Sequence, residues 1–123
     1  MNIKIPGVDE EKVLDLYEDD IDLYVKVCRS FVSVTPAGLD KLRLVDNQNV
    51  SAQTLAEYAS CIHGIKGTCT TVGAEEARKA ALNLEKMAKA GDLSGVLAEN
   101  NAFIKQAEKL IDDINLWLGQ FSA

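Results

Sequence analysis

Hydrophobic residues recur along most of this chain at steps of three and four, the spacing that gives an α-helix one apolar stripe. Asn2 to Pro6 reads as a short extended lead-in, and Asp9 as the N-cap of a brief helix ending near Tyr17. The acidic run Glu18-Asp19-Asp20 then opens a second helix, where negative charge suits the helix dipole. Its stripe is Ile21, Tyr24, Cys28 and Phe31. Thr35-Pro36 is expected to end that helix and start a third, with Pro36 in the first turn and Leu39, Leu42 and Val45 facing inward. Asp46-Asn47-Gln48-Asn49 is a polar break.

Ser51 is placed to cap the next helix, which runs to about Val72 and is punctuated by Gly73. Glu75 and Glu76 fall in the first turn of a further helix with the stripe Ala77, Ala80, Ala81, Leu84, Met87 and Ala88. Gly91-Asp92 reads as a stop followed by a new N-cap. The last helix is long, with Val96, Leu97, Phe103, Ile104, Leu110, Ile111, Ile114, Trp117 and Leu118 on one side. The pattern predicts an all-α protein. Four substantial amphipathic helices joined by short connections, with a short helix in front, give an antiparallel four-helix bundle with an additional short N-terminal helix.

Composition agrees with that class and narrows the partners. The 123 residues suit one domain spanning 1–123, with 47% hydrophobic and only 6% aromatic residues. A net charge of −6 argues against nucleic acid as a partner. No apolar run approaches membrane-spanning length and the N-terminus has no apolar signal segment, so a cytoplasmic protein is expected. Cys28, Cys61 and Cys69 have no CxxC spacing and fall within helices, so buried or half-buried thiols are expected.

The chemistry rests on the single histidine, in Cys61-Ile62-His63-Gly64-Ile65-Lys66-Gly67-Thr68. At about 100° per residue, Leu55, Tyr58, Ile62, Ile65, Cys69 and Val72 share one arc about 100° wide. His63 lies about 130° from its centre and should face solvent. Ala56, Ala59, Ser60, Lys66, Gly67 and Thr70 share its side, and all but Lys66 are small. The imidazole therefore stands over a shallow platform that another protein could approach. Gly67 costs about 1 kcal/mol relative to alanine inside a helix. The absence of a Cβ there leaves room one turn beyond His63. Lys66 can offer a phosphoryl group charge-assisted hydrogen bonds. Gly64 weakens the helix similarly and has no comparable explanation in the sequence.

Other chemistries fit less well. Cys61 projects about 160° from His63, so the two do not begin a zinc site. There is no GxxxxGK[ST] or GxGxxG loop, and so no visible means of using ATP. Two alternatives remain at this level. One is a helical interaction module without phosphotransfer; the other is a cofactor-binding bundle with His63 and Met87 as axial ligands to a haem.

His63-Gly64-Ile65-Lys66-Gly67-Thr68, then Val72-Gly73-Ala74, then Leu84-Glu85-x-x-Ala88-Lys89-x-Gly91-Asp92, resembles the histidine-containing phosphotransfer (HPt) domain family of bacterial two-component phosphorelays. Ile5-Pro6-Gly7-Val8-Asp9, Leu23-Tyr24 and Phe31 resemble its lead-in, so the likeness covers about residues 4–119. The resemblance implies a phosphorelay intermediate without kinase activity. His63 would accept a phosphoryl group through Nε2 from a receiver-domain aspartyl phosphate and pass it to another receiver aspartate. It implies response-regulator receivers and hybrid sensor kinases as partners, with no cofactor in this chain and Mg²⁺ in the receiver. Lys66 would balance charge, Gly67 would give clearance, and Ala56, Ala59, Ser60 and Thr70 would serve docking. Glu85 and Lys89 match positions near the family's histidine. Glu85 could hold the imidazole tautomer, or simply pair with Lys89 at i,i+4. Gly64 departs from the larger residues usual after the histidine. A monomer is expected.

Overall fold

The computed structural model describes residues 2–46 and 50–121. Within them the chain forms five α-helices and no strand: α1 (Glu10–Tyr17), α2 (Ile21–Arg43), α3 (Ala52–Val72), α4 (Glu75–Lys89) and α5 (Leu93–Leu118). The polar break over 47–49 lies outside the described residues. Short 3-10 turns follow α2 at Leu44–Asp46 and α5 at Gly119–Phe121. Among the described residues no helix is long and apolar enough to cross a membrane.

Local chemistry sets the helix starts. Asp9, Asp20, Ser51 and Asp92 each accept backbone N–H groups of the first turn of the helix they precede. The helices close on one another as a bundle. α3 packs against α4 and α2, and α5 packs against α2 and α4. Their stripes meet in one core containing Tyr24, Phe31, Leu39, Ile62, Leu84, Phe103 and Ile114. The lead-in adds Ile3 and Ile5 to it, and α1 adds Val13. Some expected stripe members stand apart: Leu97 is 41% exposed, and Ile21, Leu55, Ala80 and Met87 are only half-buried. All three cysteines are free, with Cys28 and Cys69 buried and Cys61 half-buried. Burial pushes the thiols up, Cys28 to about 11 and Cys69 to about 12.

The expected break at Thr35-Pro36 does not occur. α2 runs through Pro36 without interruption to Arg43. Pro36 removes one helical N–H, but the buried series Tyr24, Cys28, Phe31, Thr35, Leu39, Leu42 keeps its step of three or four across it. Burying both halves of that stripe on the same core outweighs one missing hydrogen bond. The buried Thr35 hydroxyl, just before Pro36, has no hydrogen-bond partner among the described residues.

Contacts from three sides fix α3, the helix that carries His63. Its C-terminal carbonyls, which no helical N–H can satisfy, accept side-chain donors instead. Tyr17 Oη donates to Thr71 O at 2.6 Å, and Tyr24 Oη donates to Val72 O at 2.7 Å. Gly73 ends the helix at φ +80, and a Cβ there would lie 2.6 Å from Val13 Cγ2. That position needs glycine for both reasons. Nearer the N-terminus, Tyr58 Oη donates to Asn100 Oδ1 at 2.7 Å. Asn100 Nδ2 in turn donates to Leu42 O at 3.0 Å, tying α3 and α5 to the end of α2. In mid-helix, Gly38 lets Ile65 close on α2, where an added Cβ would be 3.2 Å from Ile65 Cδ1.

Candidate functional site

His63 stands on the outer side of α3, with its side chain 65% exposed. One ring nitrogen is nevertheless held. Nδ1 lies 2.7 Å from Glu85 Oε2 on α4. Nε2 has no partner among the described residues and faces outward.

Glu85 is the centre of the cluster. It is charged and buried, with 3% of its surface exposed, a placement that requires compensation. Three donors supply it. Lys66 Nζ lies 2.7 Å from Oε1, Lys89 Nζ lies 3.1 Å from Oε2, and His63 Nδ1 is the third. The Lys66 ammonium, then Lys89 and His63, hold the Glu85 carboxyl down at about 2, against the effect of burial. The carboxylate is therefore ionised at neutral pH and can only accept. The Nδ1 contact then requires the proton on Nδ1, which leaves the lone pair on Nε2. Fold and charge together present a tautomer whose free nitrogen is a nucleophile.

A groove of about 630 Å³ opens beside the ring, between the N-terminal half of α3 and the end of α4. His63, Ala56, Ala59 and Ser60 line it, as do Glu85 and Lys89 across from them. The structure therefore gathers most of the residues singled out from the sequence. It adds Ala52, Leu55, Ala88 and Gly91. Ala52 could have been found by extending the small-residue face one turn back from Ala56. Ala88 is hidden in the sequence as an ordinary α4 stripe member, and only the meeting of α3 with α4 turns it toward the site.

Some residues fall elsewhere. Ala59 is 7% exposed, so it is part of the core edge and not of an open platform. The alanine-rich face of α4 comes near enough to α3 to widen the buried arc beyond the width that the apolar spacing suggests. Thr70 is exposed two turns beyond His63, donates to Lys66 O at 3.0 Å, and does not line the groove. Lys66 leans toward Glu85 and is only 23% exposed. A Cβ at Gly67 or at Gly64 would meet no atom within 4 Å, so neither glycine serves helix packing. A larger hollow lies on the opposite flank of α3, against α2, lined among others by Val34, Lys41, Leu44, Cys61 and Gly64. Its lining includes Lys41 and Glu57, but the histidine and the buried carboxylate that holds it both line the other groove, and the chemistry points there.

The Hpt domain family matches residues 13–117, and the chain belongs to this family. Histidine phosphotransfer in phosphorelays is the family's general role, and its members are phosphocarrier modules that meet receiver domains and kinases. No curated protein and no solved structure matches the chain significantly.

Proposed function

We propose that this chain is a phosphorelay intermediate that accepts a phosphoryl group on His63 from a receiver aspartyl phosphate and passes it to the aspartate of another receiver. The observation that carries the reading is the imidazole held at Nδ1 by a buried carboxylate, with Nε2 open to a groove. In the forward step the Nε2 lone pair forms the P–N bond. The P–O bond to the aspartyl carboxylate breaks, and its electron pair leaves on the carboxylate. The ring keeps its Nδ1 proton and becomes cationic, and Glu85 balances that charge across 2.7 Å. The reverse step onto a second carboxylate needs no proton to enter or leave.

The remaining roles follow from placement. Lys66 and Lys89 supply the positive charge of the site, and Gly67 leaves clearance on the exposed side. Ala56 and Ser60 form the floor on which a receiver docks, with Ala59 packed at its base and Thr70 at the far margin. Mg²⁺ belongs to the receiver's site, and no cofactor is assigned to this chain. The closed contacts of α2–α5 favour an antiparallel four-helix bundle with α1 added at one end. We assign a cytoplasmic, monomeric carrier acting as a single domain, which docks transiently on receivers and hybrid kinases.

The test is transfer from a phosphorylated receiver domain to the purified protein. Acid-labile, base-stable label should appear and should be absent from His63→Gln. Equal labelling of that variant, or no label from several phosphorylated receivers, would overturn the relay reading.

A further inference from the structure

The two lysines at Glu85 are not equivalent, and their difference divides the work at the site. Lys66 Nζ is the only donor to Oε1 among the described residues, at 2.7 Å. Lys89 Nζ shares Oε2 with His63 Nδ1 and lies farther away, at 3.1 Å. Withdrawing Lys89 leaves both oxygens of the buried carboxylate with a donor. Withdrawing Lys66 strips Oε1 of its only partner, which is costly for a buried charge. Exposure points the same way, with the Lys66 side chain 23% exposed and that of Lys89 65% exposed. Lys89 also lines the groove beside His63, and Lys66 does not.

We infer that Lys66 is a positioning residue that holds Glu85 against the imidazole, and that Lys89 is the cation that leaves Glu85 to meet the phosphoryl group in the groove. The inference rests on the relay reading above and assigns that site's charge handling. As the dianionic phosphoryl reaches Nε2, Lys89 gains a stronger anion than the one it shares. Glu85 keeps Lys66 and the Nδ1–H of the newly cationic ring. No proton changes hands in the exchange of partners, and the one P–N bond formed matches the one bond broken at phosphorus.

The single histidine allows a test that needs no partner. Phosphoramidate can phosphorylate the full chain directly, forming the Nε2–P bond as its own P–N bond breaks and ammonia leaves. The rate of phosphohistidine formation is measured alongside the ¹⁵N imidazole signals of the unphosphorylated protein. Lys89→Met should slow phosphorylation by about tenfold, the scale of one partly exposed charge-assisted bond. It should leave the imidazole signals as in the wild type, and Lys89→Arg should restore the rate. Lys66→Met should move the imidazole signals, because Glu85 loses its anchor, and Lys66→Arg should return them. Circular dichroism shows whether each variant is folded; if Lys66→Met is not, Lys66→Ala carries the same expectation. With the wild type labelled, a wild-type rate for Lys89→Met overturns the inference, as do unmoved signals in the Lys66 variants. A wild type that takes no label on His63 from phosphoramidate or from receivers overturns the relay reading itself, and the inference with it.

Discussion

Replacing Gly64 and Gly67 with alanine should stabilise the protein, although both lie within one turn of its single histidine. Each sits in the interior of α3 with ordinary helical backbone, since the glycines with positive φ are Gly7, Gly73 and Gly91. An added methyl meets nothing within 4 Å at either position, so no packing or clash contribution enters. Helix propensity alone remains, worth about 1 kcal/mol per Gly→Ala, or about 2 kcal/mol for the pair. For 123 residues at about 2.1 cal/mol/K each, unfolding entropy is about 0.26 kcal/mol/K, so the pair should raise Tm by about 8 °C. Thermal unfolding followed by circular dichroism at 222 nm reads this directly. A lowered Tm in either single variant would refute the reasoning, because it would mean that the glycine meets a neighbour or a backbone need. The functional half of the prediction separates the two positions. Gly67 lies about 40° from His63 around the helix and Gly64 about 100°. Gly67→Gln should therefore slow transfer from a receiver far more than Gly64→Gln, with both folded. Equal rates would remove the clearance role of Gly67.

Two further outcomes follow from buried polar groups. Glu85→Gln should cost about 1–3 kcal/mol at neutral pH, and the gap to the wild type should close in acid. The folded carboxyl sits at about 2 and the ordinary value is 4.5, so its stabilisation is complete above pH 4.5 and fades as pH falls toward 2. Urea titrations at pH 7 and pH 3 measure it, and a constant gap would contradict the ionised cluster. Thr35→Val should stabilise by about 1 kcal/mol by deleting a buried hydroxyl that has no partner among the described residues. Destabilisation of similar size would mean that the hydroxyl is hydrogen-bonded in solution.

Much of the architecture was legible because a helix writes its buried face into local spacing. Asp9, Ser51 and Asp92 marked helix starts correctly, since an N-cap needs only a side-chain oxygen and the next turn's N–H groups. Pro36 misled for the same reason. Its local cost is readable, whereas the core burial that carries α2 across it belongs to contacts with α3 and α5. The exposure of His63 followed from angle alone, because it depends on which side of one helix a residue occupies.

The support of that histidine is a different matter. Whether Glu85 held the imidazole or merely paired with Lys89 could not be separated along the chain, and the structure has it doing both, with Lys66 added. Those contacts cross from α3 to α4, 22 and 19 residues apart, and depend on the register of two helices. That register is fixed by the tight turn between the two helices, where Gly73 N donates to Thr70 O and Ala74 N donates to Cys69 O. The sequence by itself determined where most helices begin and which way the histidine faces, because both are properties of a single helix. Only the tertiary structure decided which ring nitrogen is free and which lysine is anchored, because a buried charge takes its partners from whatever the packing brings within reach.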